Sequence, residues 1–96
     1  MISREDFIFT IGYEGERAVV DGNAKKRYGK LSTRELAEAG LYRAAFSSAL
    51  YSKDEAEMKY FIDFFNAKAG TACTMAAELK RLFGVDREEV TKVLVL

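Results

Sequence analysis

Lys25-Lys26-Arg27-Tyr28-Gly29-Lys30 gathers four cations and an aromatic ring into one short run, the equipment for gripping an anion. Lysine and arginine neutralise phosphates or carboxylates, a tyrosine ring can stack on a base, and glycine lets another backbone come close. Arg34 and Arg43 follow nearby, so the candidate binding set is Lys25, Lys26, Arg27, Tyr28, Lys30, Arg34 and Arg43. The bland alternative is a solvated loop, or a single helical turn, whose charges keep the protein soluble. Bond-making chemistry has less to work with. Histidine and tryptophan are absent and Cys73 is the sole cysteine, which leaves no conventional metal or redox cluster and no imidazole to activate the thiol. Cys73 reads as a small packed thiol near the start of a helix. Glu14, Glu16 and Asp21 could surround a cation or act as acid and base, yet acidic residues on an exposed hairpin need no such role. No catalytic residue, metal or cofactor is expected; a carboxylate- or thiol-dependent enzyme is the residual reading.

The whole chain is formally neutral, with 15 basic and 15 acidic residues, so any anion binding must be local. Locally the charge is segregated. Residues 1–24 carry two basic and five acidic side chains, and residues 25–43 carry six basic and two acidic. A basic belt beside an acidic one suits a defined docking site, and equally suits head-to-tail self-contact. At 96 residues, 49% apolar and 31% charged, the composition is that of one globular domain, 1–96. One cysteine excludes a disulfide-framed scaffold, and no apolar run approaches the roughly 20 residues that span a bilayer. The opening residues lack the apolar core of a signal peptide, so a cytoplasmic, non-membrane protein is expected.

The elements that would position these residues are well punctuated. Phe7–Ile11 and Ala18–Val20 are runs of strand formers around a glycine-bearing loop, which predicts a β-hairpin over about 7–21, stopped by Asp21-Gly22-Asn23. Ser32-x-x-Glu35, Ser52-x-x-Glu55 and Asp86-x-x-Glu89 have the form of helix capping boxes, and Gly40, Gly70 and Gly84 fall where helices should stop. This predicts helices near 33–39, 42–51, 53–69 and 72–83. The 72–83 segment has one apolar stripe. In 53–69, Met58, Phe61, Ile62 and Phe65 form the main stripe while Tyr60 and Phe64 widen it. That helix is expected to be central and packed on two sides, or to show Tyr60 and Phe64 to a partner. The terminal run to Leu96 starts like a helix but ends β-branched and apolar, so a third strand joining the hairpin is expected. The fold class is α+β: an N-terminal hairpin, with a C-terminal third strand, packed against about four helices.

Thr33–Tyr42 leading into Arg43–Leu50 resembles the helix-turn-helix of bacterial DNA-binding proteins, through Glu35-Leu36-Ala37, a glycine turn and a second helix with small polar residues. The resemblance implies a second helix that enters a major groove. Here Ala37 to Gly40 is three positions where the family usually has four, and a plain helical hairpin accounts for the same residues. Gly12-Tyr13-Glu14-Gly15 has the Gly-x-x-Gly spacing of the KH-type RNA clamp, but Glu14 would repel a phosphate and a hairpin turn explains both glycines. The functional expectation is a non-catalytic binding or regulatory module. It would engage a protein partner, or itself, through the basic segment. The alternative is a nucleic-acid-binding domain using the same patch with the helix-turn-helix-like pair.

Overall fold

The computed structural model describes residues 2–85 and 92–96. Within them lie six helices and a three-stranded mixed sheet, an α+β fold. The chain opens on helix α1, Arg4–Ile8, where a strand was expected. Ser3 caps it by accepting from the Asp6 N–H at 3.2 Å, and Glu5 and Asp6 place negative charge in the first turn, where the helix dipole favours it. The aromatic and branched Phe7-Ile8-Phe9 looked like a strand because it is apolar on every side. It is apolar because all three residues are buried in the core.

Strands β1 (Thr10–Glu14) and β2 (Arg17–Val20) form the expected hairpin, which starts at Thr10 instead of residue 7. Gly15 takes φ +61° at the turn, a conformation that L side chains adopt with strain. Strand β3, Lys92–Val95, joins as expected and runs parallel to β2, so β2 is the middle strand. A parallel partner needs a long crossover, and the helical segment supplies it.

Helix α2, Gly22–Tyr28, begins where Asp21 accepts from the Ala24 N–H at 3.1 Å. The basic segment is therefore the second turn of a two-turn helix, Lys25–Tyr28, with Gly29 and Lys30 in the turn that follows it. Helix α3, Thr33–Glu38, carries the Ser32/Glu35 capping box in full. Helix α4, Tyr42–Ser52, and helix α5, Glu55–Ala69, meet at Lys53-Asp54. There Asp54 is the cap, and Ser52 instead donates its hydroxyl back to the Ala49 carbonyl at 2.7 Å. Helix α6 is Ala76–Phe83, so residues 72–75 precede it. Gly40, Gly70 and Gly84 do stop helices, each at positive φ. The Asp86-x-x-Glu89 capping box lies outside the described residues.

The most buried helix is α4, and the expectation that 53–69 would be central is corrected. Every residue from Ala44 to Ala49 is buried, whereas only Phe61 and Phe65 of α5 are. Alanine and serine let α1, α3 and α5 approach α4 closely, which makes it central without making it strongly hydrophobic. Phe46 anchors an aromatic cluster with Phe61 at 5.9 Å and Phe83 at 5.6 Å between ring centroids. Burying such a ring stabilises the fold by roughly 2–3 kcal/mol. Tyr60 and Phe64 are half-buried, packed on each other and covered by cations. The Arg34 guanidinium lies 4.1 Å from the Tyr60 centroid and Lys68 lies 5.7 Å from that of Phe64.

Candidate binding cleft

Helix α2 presents Gly22, Lys25, Lys26 and Gly29 at i, i+3, i+4 and i+7, a single face, and that face borders a cleft of about 560 Å³. Arg27 and Lys30 line it too; Glu5 of α1 and Val95 of β3 close its sides. Two glycines make the approach possible. A Cβ on Gly22 would fall 2.3 Å from the Leu96 carbonyl oxygen, and one on Gly29 would fall 3.1 Å from the Glu5 Cγ. Any side chain at Gly22 would push α2 off the C-terminal strand, and one at Gly29 would crowd the Glu5 side chain.

The cations of the segment have different occupations. Lys25 Nζ lies 2.7 Å from Asp6 Oδ1, and the Asp6 side chain is only 14% exposed, so Lys25 neutralises a carboxylate that has little water around it. Lys26, Arg27 and Lys30 are exposed, and no described carboxylate lies within 4.0 Å of them. Tyr28 is half-buried and packs against the core. Its ring is part of the fold's packing, not an open stacking platform.

Arg34 and Arg43 do not join the cleft. Arg34 is stacked over Tyr60. Arg43 donates from Nε to the Phe83 carbonyl at 2.9 Å and from its terminal nitrogen to the Thr10 carbonyl, tying α6 to the start of β1 across α4. The second helix of the helix-turn-helix-like pair is α4, whose middle is buried, so it has no free face to lay in a groove.

Arg4 is the residue that the sequence did not flag. Its guanidinium donates to the carbonyls of Gly29 at 3.0 Å and Leu31 at 2.5 Å and to Ser48 Oγ at 2.9 Å. These bonds fix the turn after α2 and so hold Lys30 at the cleft. Behind it, the Thr33 and Ser48 hydroxyls are 2.7 Å apart and Glu57 accepts from Thr33, so two hydroxyls bridge the Arg4 cation to a carboxylate. This chain satisfies a partly buried charge. Nothing in an arginine standing among acidic neighbours signals that duty.

The remaining candidates are occupied locally. Glu14 pairs with Arg17 across the hairpin turn, and Asp21 caps α2. Cys73 is held before α6 by Asn66, which accepts from the Cys73 N–H at 3.0 Å and donates to its carbonyl at 2.8 Å. Among the described residues no group of three or more His, Cys, Asp or Glu could hold a metal, and no helix is long and apolar enough to cross a membrane. No family model, curated protein or solved structure matches the chain.

Proposed function

We propose that the protein is a non-catalytic cytoplasmic module that binds an acidic segment of a protein partner in the α2 cleft. One observation carries the reading: Lys26, Arg27 and Lys30 stand exposed around a cleft, with no described carboxylate in ion-pair distance. Charge without a described acidic partner, beside a helix anchored by Arg4 and by the Lys25–Asp6 pair, is arranged for a ligand from outside.

An acidic protein segment is favoured over nucleic acid by three features. The cations cover one short helix instead of a face of the domain. The helix that would read a groove is in the core, and the ring that would stack on a base is packed.

Fluorescence anisotropy with a labelled oligoglutamate peptide, duplex DNA and single-stranded RNA across a salt series tests the reading. The peptide should bind at low salt, weaken as salt rises, and be lost in the triple variant Lys26→Glu/Arg27→Glu/Lys30→Glu. Lys25 is left intact because removing it would strand Asp6. No peptide binding at low salt overturns the proposal, and tighter binding of either nucleic acid moves it to the alternative class.

A further inference from the structure

The cationic cleft opens beside a sheet edge on which no described strand lies. In the strand order β1-β2-β3, strand β3 has β2 on one side and no described strand on the other. The Leu96 N–H donates to the Val20 carbonyl at 3.0 Å, toward β2. Ladder alternation then turns Leu94 toward β2 as well, and sends the N–H and C=O groups of Val93 and Val95 to the outer edge. Val95, which also borders the cleft, is 46% exposed.

The two edges of the sheet are built differently. On β1 the register slips between Thr10 and Gly12, so Ile11 is an extra, unpaired residue, a bulge that spoils the edge as a template. Strand β3 keeps continuous register from Lys92 to Val95, without bulge or proline. Its one charged residue is Lys92, another cation.

From this juxtaposition, and resting on the reading of the α2 cleft given above, we infer that the partner's segment binds as an added strand. It is an extended peptide that pairs its backbone with the outer edge of β3 and runs its Asp or Glu residues into the cleft, against Lys26, Arg27 and Lys30. The edge supplies main-chain hydrogen bonds indifferent to sequence, and the cations select acidic residues at one end of the strand. Only a segment with both parts satisfies both surfaces: a short β-forming stretch next to an acidic cluster. A preformed helix could offer the charge but not the backbone groups.

Three labelled probes test this on the full chain: a Val/Thr stretch followed by a glutamate run, the same peptide N-methylated at the Val/Thr residues that face β3, and oligoglutamate alone. The first should bind tightest. Methylation removes hydrogen-bond donors and leaves charge unchanged, so it should weaken binding about tenfold for two lost bonds. In the protein, Val95→Pro deletes one outward donor at an edge position that tolerates proline, and should weaken the first probe about threefold, part of the way to the second. Equal binding of all three probes overturns the added strand and leaves the cleft reading standing. Binding of none removes both. A dimer that forms without peptide and is abolished by Val95→Pro would also overturn the inference, by giving the edge to a second copy of the chain.

Discussion

Arg43 and Arg27 are both arginines of the same basic stretch, and the fold uses them in opposite ways. Arg43 is drawn inward, its fork spent on two backbone carbonyls that belong to different elements, β1 and α6. Arg27 stays exposed on α2, with no described acidic partner, beside a cleft. The same split runs through the rest of the stretch: Lys25 and Arg34 are committed to a carboxylate and a ring, while Lys26, Arg27 and Lys30 have no described acidic partner. A run of cations in a sequence is therefore not one site. Proximity in the chain groups six cations, and tertiary contacts separate those that hold the fold from those available to hold something else.

The largest effect on folding should come from Arg43→Met. It keeps most of the apolar stem and strands two carbonyls, so the expected loss is about 3 kcal/mol, read from the urea midpoint. Arg43→Lys keeps the charge but not the planar fork, and should recover only part of it. Neither change should alter peptide affinity beyond what partial unfolding explains. The converse holds for Lys26→Ala, Arg27→Ala and Lys30→Ala: stability within about 0.5 kcal/mol of wild type, with peptide binding weakened in each. If Arg27→Ala destabilised the protein as much as Arg43→Met, the division drawn here would fail.

Arg34→Met should fall between the two. Arg34 is exposed and its contact is a cation over the Tyr60 ring, worth roughly 0.5–1 kcal/mol at a surface. A matching loss in Tyr60→Leu, with no further loss in the double variant, would assign the energy to the pair. Additive losses would mean that each side chain acts alone.

How far the sequence announced all this depends on what kind of signal each element carries. Ser32 with Glu35, and the glycines at 40, 70 and 84, are local chemistry that works regardless of tertiary context, and all four performed as read. Helix α1 had its signals, Ser3 followed by Glu5 and Asp6, but the aromatic run behind them imitated a strand. Asp21-Gly22-Asn23 does end β2 at Val20, but the residues that make turns also make N-caps, and Asp21 starts α2 as well. Helix α4 was overlooked as the centre because its importance lies in smallness, and hydrophobic patterning scores size and greasiness. The cleft was half visible: its cations were in plain view, whereas Glu5, Val95 and the Arg4 anchor come from residues 20 or more positions away. Only tertiary packing brings them in.

Helix α6 supplies the anionic counterpart, and the smallest expected effect. One oxygen of Glu78 accepts from the backbone N–H of Thr74 at 3.1 Å, from the Thr74 hydroxyl at 3.2 Å and from the Met75 N–H at 3.2 Å. The bonds from Thr74 hold its carboxyl below the usual carboxylate range, with lesser help from Met75 and Arg81. A depressed folded pKa means that the ionised form stabilises the native state. That contribution is complete above the unfolded-state pKa and disappears as pH falls through the folded one. Glu78→Gln keeps an acceptor for the α6 start and loses the charge. Its melting temperature should lie slightly below wild type at neutral pH, and the two curves should converge as the solution is acidified. A gap that stayed constant down to strongly acid pH would mean that Glu78 works by shape and not by charge, and would place it with the neutral caps such as Ser32.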